Sequence, residues 1–360
     1  MGPLSVESAI QQTQAKLTKF PLLNRYLAPV LLRRFESADW NDNRLIRAIL
    51  RGSPRLDEYE ATFRNAELTS VPGATGIFDV IAGKDPDYDE KLFDALAEVR
   101  LAAWARIEGY RDIEKLNAGG EFRTPEFSMT IGQKTVLAEA KHFRGRDYFV
   151  NYVADRLEGL ALTTGKLTDF GLQVWTSDKY SKMLTELRSN RIVWLKKARE
   201  ELTEPRLLSL ERTLKADPDA EVQIIEGLFS VRRGPTPGRV FGGWTYRLSP
   251  REAVELCLLR IQEELLAKLE QVRMFIEASG YGAAHVIIFF SGVDEWESEW
   301  SELWKSLDSM ESWAWDRVAT IKAEGDKLIG LPFELIVGRY KTLGTGKFDS
   351  VEYRAFHWQP

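Results

Sequence analysis

Three ionisable residues stand inside the strand-like runs of RTPEFSMTIGQKTVLAEAKHF, residues 123 to 143: Glu126, Glu139 and Lys141. Phe127, Met129 and Ile131 alternate with Ser128 and Thr130. Val136, Ala138 and Ala140 alternate with Leu137, Glu139 and Lys141. The segment therefore reads as a hairpin turning at Gly132-Gln133-Lys134, with Glu139 and Lys141 on one face beside a leucine. A buried charge is costly unless it is paired or binds a metal. Two neighbouring carboxylates favour a shared proton or a cation between them. Hard oxygen ligands suit Mg²⁺ or Mn²⁺, and magnesium is usually held by one or two carboxylates with water and substrate phosphate. A lysine on the same face is placed to orient or deprotonate a metal-bound water, or to neutralise charge building on a phosphate. Such a set fits metal-assisted hydrolysis of a phosphodiester. The bland alternative is a Glu139–Lys141 salt bridge on an exposed sheet face, with Glu126 a charge at a strand end.

Pro125-Glu126, a gap of twelve residues and Glu139-Ala140-Lys141 together resemble the PD-(D/E)xK nuclease superfamily, which includes restriction endonucleases, junction resolvases and repair nucleases. The resemblance implies an α/β fold with a restriction-endonuclease-like αβββαβ core: a helix, a three-stranded meander, a second helix and a final strand. It implies that Glu126 and Glu139 bind Mg²⁺ or Mn²⁺, with the Ala140 carbonyl as a further ligand. Lys141 would then position the attacking water. Glu98, in the helix upstream, would serve as an accessory carboxylate that reaches the metal directly or through water. Glu126 departs from the pattern, since the family most often has aspartate there. The extra methylene would set a metal slightly farther from the strand. The implied activity is that of a DNA endonuclease of restriction, defence or repair type. A catalytically degenerate fold serving as a nucleic-acid-binding or assembly module is the alternative, and an RNA-directed nuclease is a weaker third reading.

The elements that must position these residues follow from periodicity. KLFDALAEVRLAAWARIEGY, 91 to 110, repeats apolar residues at Leu92, Leu96, Val99, Ala103 and Ile107, which predicts a helix with Glu98 beside its apolar stripe. Ser249-Pro250-Arg251-Glu252 combines an N-cap, a first-turn proline and the glutamate of a capping box, and Gly280 would end the helix it opens. HVIIFFSG, 285 to 292, has the continuous apolar character of a strand buried on both faces. This strand, fed by the helix from 250, can be the final core strand. Alternatively, a helix at 148 to 163 is the second core helix and 250 to 291 is an added pair.

Residues 1 to 85 read as a helical N-terminal region, 86 to 292 as the nuclease-like domain with a mainly helical insertion at about 165 to 219, and 293 to 360 as an extension. GKDPDYDE, 83 to 90, is the polar boundary. Residues 147 to 216 look helical throughout. EVQIIEGLFSVRR and RVFGGWTYRL, joined by Gly-Pro-Thr-Pro-Gly, look like a second hairpin. In the extension, Trp296, Trp300 and Trp304 form a stripe on an acidic helix over 294 to 315, suited to packing on the protein's own core or to a partner. Residues 331 to 358 look strand-like.

The gross numbers narrow the class. A chain of 360 residues that is 44% hydrophobic can bury a full core. One cysteine, Cys257, excludes a disulfide framework or thiolate cluster, and three separated histidines, His142, His285 and His357, argue against a histidine-rich zinc site. His142 should point away from Lys141, and Cys257 should be buried. TLGTGK, 342 to 347, lacks P-loop order and reads as a turn. The first thirty residues show no secretory pattern, and no run of eighteen apolar residues exists, so the expectation is a cytoplasmic protein without a membrane partner. The net charge of −5 argues against binding nucleic acid through bulk positive charge. Local backbone contacts remain open to Arg33, Arg34, Arg44, Arg47 and Arg51, and to residues 179 to 215, where ten Lys or Arg face five Glu. A protein partner or a second copy would use the helical or tryptophan-rich segments.

Overall fold

The computed structural model describes the chain except for residues 1–3, 37–39, 41–42, 54, 68–69, 75–76, 78–87, 117–123, 144–147, 184–185, 188–189, 244–248, 292–296, 343–347, 357 and 359–360. The protein is mixed α/β, and its chain divides into two compact units, each assembled from discontinuous segments. One unit takes residues 17–34, 52–145 and 248–360; the other takes 1–16, 35–51 and 146–247. The helices of the N-terminal region, α1 (Val6–Leu17), α2 (Pro21–Arg34), α3 (Arg44–Arg51) and α4 (Arg55–Ala66), are thus shared between the two. The inserted unit spans more of the chain than its helical part alone.

The larger unit is built on six strands in the order β1-β2-β3-β8-β9-β10. Helix α5 (Tyr88–Ile107) leads into the meander of β1 (Arg111–Lys115), β2 (Phe127–Ile131) and β3 (Lys134–His142). The β2–β3 hairpin forms where expected, but its turn is Gly132-Gln133 alone: Lys134 already pairs with Ile131, Met129 lies opposite Val136, and Gly132 takes a left-handed φ of 61°. Strand β8 (His285–Ser291) runs parallel to β3 with Glu139 opposite Ile288. Strand β9 (Phe333–Thr342) is parallel to β8, and β10 (Phe348–Ala355) closes the sheet antiparallel. Of the two arrangements open from sequence, the strand at 285 beside β3 is the one found, fed by α10 (Pro250–Ser279).

Helix α10 forms because its ends are specified. The Ser249 hydroxyl accepts from Glu252 N–H at 3.3 Å, and the Glu252 carboxylate accepts from Ser249 N–H at 2.8 Å. Gly280 ends it at φ 66°. Its stripe of Val254, Cys257, Leu258, Ile261, Leu265, Leu269 and Val272 packs on Leu137, Val286, Ile288 and Phe290. Those four lie on the Glu139 face of the sheet, by alternation and register. The opposite face meets α5 through Trp104 and Phe289.

Trp300 and Trp304 join the core under α10, so the stripe packs inward. Their helix is shorter than expected: α11 (Glu297–Asp308) is separate from α12 (Ser312–Ile329), and Met310 lies between them at φ 58°. Trp304 stacks near Phe356 and under the Arg354 guanidinium at 3.9 Å. Trp296, residues 83–87 of the acidic break and residues 343–347 of TLGTGK lie outside the described residues.

The second unit corrects two readings. Residues 147 to 216 are not continuously helical. Between α6 (Tyr148–Thr164) and the helices α7 (Asp178–Lys182), α8 (Arg191–Glu201) and α9 (Glu204–Ala216) runs a strand, β4 (Gly171–Thr176). The second hairpin also pairs differently. Strands β5 (Val222–Ile224) and β6 (Phe229–Gly234) form the hairpin, and β7 (Val240–Gly243) lies parallel to β4 instead. The order is β5-β6-β4-β7, because β4 inserts between the expected partners. Glycine makes the insertion feasible: a Cβ on Gly171 would overlap the carbonyl oxygens of Thr236 and Arg239. In this unit Arg47 and Arg51 are not a solvated basic face. Arg47 is buried 3.3 Å from Asp155, and Arg51 pairs with Glu158 at 2.6 Å.

Candidate functional site

Glu139 is fully buried on β3, pointing toward α10. It lies just past the end of the β2 ladder, which starts at Phe127 opposite Ala138. The run Glu139-Ala140-Lys141 is therefore paired with β8 beyond the point where β2 stops. Ala140 stands opposite Phe289 in that ladder. The Glu126 backbone N–H crosses the gap and donates to Glu139 Oε2 at 3.1 Å. The backbone at Glu126 is itself held, since its carbonyl accepts from Leu116 N–H at 3.0 Å.

The carboxylates are joined by ammonium groups that the sequence reading did not single out. Lys115, the last residue of β1, donates to Glu126 Oε2 at 2.6 Å and to Glu98 Oε2 at 2.5 Å. A bulge in β1, with Asp112 at φ 47° and tied to the Thr130 hydroxyl, shifts the register and sets the side on which Lys115 emerges. From α10, Lys268 donates to Glu139 Oε1. Gln271, one turn further on, reaches the Thr124 carbonyl at 3.4 Å. Lys141 lies 3.7 Å from Asp94 Oδ1 of α5. His142 turns to the other face and stacks on Phe93 with ring centroids 4.7 Å apart.

The structure thus brings Glu98, Glu126 and Glu139 into one electrostatic cluster, in which the Glu126 charge raises the proton affinity of both Glu98 and Glu139. Burial first, and then the Glu126 charge, push Glu98 up to about 8, although Lys115 opposes them. Burial pushes Glu139 up to about 7, against the Lys268 ammonium. Burial alone would lower both lysines. Glu98 and Glu126 outweigh it at Lys115, and Glu139 does so at Lys268, so both are raised and stay charged. Lys141 joins the cluster through Asp94 rather than through the Glu139 salt bridge of the bland reading.

Lys268 carried a sequence signal. Ile261, Leu265 and Val272 line the buried stripe, and 268 occupies the same helical row. Lys115 carried little, because RDIEK is short and mostly charged.

Among the described residues, no three His, Cys, Asp or Glu side chains are gathered in an arrangement that would cage a metal ion. No helix among them is long and apolar enough to cross a membrane. No protein-family model, curated protein or solved structure matches the chain.

Proposed function

We propose that the larger unit is a PD-(D/E)xK-type, Mg²⁺- or Mn²⁺-dependent nuclease that hydrolyses phosphodiester bonds, with DNA as its substrate. The observation that carries this reading is the hydrogen bond from Glu126 N–H to Glu139 Oε2, which ties the main chain of one motif residue to the carboxylate of the other at the open end of the β2–β3 pair. The topology supports it. Helix α5, the β1-β2-β3 meander, α10 and β8 follow the helix, meander, helix and strand order that the motif implies.

The residues present fit a divalent ion of the two-carboxylate kind. Their donors are hard oxygens, and burial makes Glu98 and Glu139 hold protons up to about 8 and 7 even beside Lys115 and Lys268. Glu126 and Glu139 would hold the ion, with Glu98 behind them and the Ala140 carbonyl as a candidate backbone ligand. A bound ion would supply Lewis acidity and lower the pKa of a water. The chain's own part is positional. The strand pair fixes Glu139 and the Glu126 main chain, Lys115 holds the Glu126 carboxylate, and Lys141, two residues from Glu139 on β3, pairs with Asp94. There it would orient the attacking water or stabilise charge on the phosphate.

A second reading, a degenerate fold that binds nucleic acid or assembles with a partner, draws on one observation. Lys115 and Lys268 already satisfy the three carboxylates without a metal. Cleavage of supercoiled plasmid by wild type and by Glu126→Gln, with Mg²⁺, with Mn²⁺ and with chelator, separates the two. Metal-dependent nicking lost in the variant supports the nuclease. Intact plasmid in every lane, with the protein folded, favours the module.

A further inference from the structure

Lys115 and Lys268 are placed unlike ordinary surface ion-pair lysines. Their side chains are only 17% and 16% exposed, and they come from opposite sides of the motif, one from β1 and one from α10. Lys115 bridges two carboxylates at once, and Lys268 contacts the fully buried one. With Lys141 and Asp94 included, four carboxylates face three ammonium groups. Two of those ammonium groups sit on the carboxylates that would hold the ion. An ammonium at contact distance opposes a divalent ion on the same carboxylate, because their like charges repel strongly where water is scarce.

We propose that Lys115 and Lys268 are resident counter-ions of the carboxylate site, which a divalent cation must displace before it can bind. This rests on the nuclease reading and adds its regulation. The metal-free site is held closed by its own lysines, and anything that draws their ammonium groups outward admits the ion. A polyanionic substrate lying over the site does so, because phosphate oxygens accept from the same ammonium donors. Metal and nucleic acid then bind with positive, reciprocal coupling.

The test uses the full chain and Mn²⁺, whose binding is followed by loss of the free-ion electron paramagnetic resonance signal. Wild type, Lys115→Gln, Lys268→Gln and the ligand control Glu126→Gln are titrated side by side. Each lysine variant should bind Mn²⁺ more tightly than wild type, on the order of tenfold, and Glu126→Gln more weakly. Lys268→Gln leaves Glu139 buried without its counter-ion and can fail to fold, so a second readout uses the wild type alone. Lysine acetylation is mapped by mass spectrometry with and without Mn²⁺. The prediction is faster labelling of Lys115 and Lys268 when the ion is present, with other lysines as internal references. Equal Mn²⁺ affinity in wild type and lysine variants, with unchanged labelling, overturns the counter-ion proposal and leaves the nuclease reading standing. Absence of Mn²⁺ binding in all four proteins removes the nuclease reading, and the proposal with it. Binding in the lysine variants but not in wild type supports the proposal in its strongest form.

Discussion

Glu139 is fully buried on β3, and one of its oxygens takes the backbone N–H of Glu126 at 3.1 Å. A side chain on β3 thereby holds the main chain that enters β2. Lys268 on the other oxygen completes the shell. Both Glu139 oxygens are thus held, one by the main chain at Glu126 and one by Lys268 of α10.

The proton affinities predict how stability depends on pH. Glu98 and Glu139 lie above their ordinary 4.5, at about 8 and about 7. Protonation therefore favours the folded state, so the stability these sites contribute is fully present below about 4.5, falls as pH rises, and is lost by about 7 for Glu139 and about 8 for Glu98. Thermal unfolding of the metal-free protein should show a midpoint lower at pH 9 than at pH 6 by on the order of 5 °C. Glu98→Gln should flatten that slope. A slope unchanged by the substitution would detach it from this cluster.

Adding Mg²⁺ should oppose the same loss. At pH 9 both carboxylates are ionised and crowded, so a cation there gains most. The rise in midpoint with Mg²⁺ should be larger at pH 9 than at pH 6, and smaller again in Glu126→Gln. Equal shifts at both pH values, or in both proteins, would place the metal effect elsewhere.

On the other face of the sheet, Arg100 grips Glu58 with two hydrogen bonds, of 2.9 and 3.0 Å, and also reaches the Ser291 hydroxyl. Glu58 is fully buried. Arg100→Met should cost about 3–5 kcal/mol, because it strands a buried carboxylate. The double variant Arg100→Met with Glu58→Met should recover most of the loss, since two apolar side chains replace the pair. Calorimetry of the three proteins checks the ordering. A double variant as unstable as the single would show that packing, not the unpaired charge, sets the cost.

In the other unit, Gly171→Ala forces a methyl onto the Thr236 and Arg239 carbonyls. It should destabilise that unit by about 2 kcal/mol or more. At Gly282, where an added Cβ meets nothing within 4 Å, alanine should be tolerated. Limited proteolysis that cuts both variants equally within residues 146–247 would contradict the claim.

Much of the motif was legible because period and punctuation agreed. Alternation over 127–131 and 134–142 with a left-handed glycine between them specified the hairpin, and the Ser249–Glu252 box specified where α10 begins. What pairs with what was harder to read. GLQVWT is six residues between helices, too short to outweigh its surroundings, so β4 and its place between β6 and β7 were missed. Counter-ion partners are hard to read for a related reason, even where, as at Lys268, a charge in a buried helical row marks the residue. A lysine's partner depends on three-dimensional approach: Lys115 lies 17 and 11 residues from its partners Glu98 and Glu126, and Lys268 lies 129 from Glu139. The N-terminal arginines misled because burial, not composition, decides whether Arg47 and Arg51 meet solvent or carboxylates.

The central claim is that Glu126, Glu139 and Lys141 form a phosphodiester-hydrolysing site. Its most direct test is cleavage of supercoiled plasmid, linear duplex and single-stranded DNA by wild type and by Lys141→Ala purified identically, with Mg²⁺ or Mn²⁺. Metal-dependent cutting that falls by at least roughly a hundredfold in the variant is the predicted result. Equal cutting by the two proteins would contradict it.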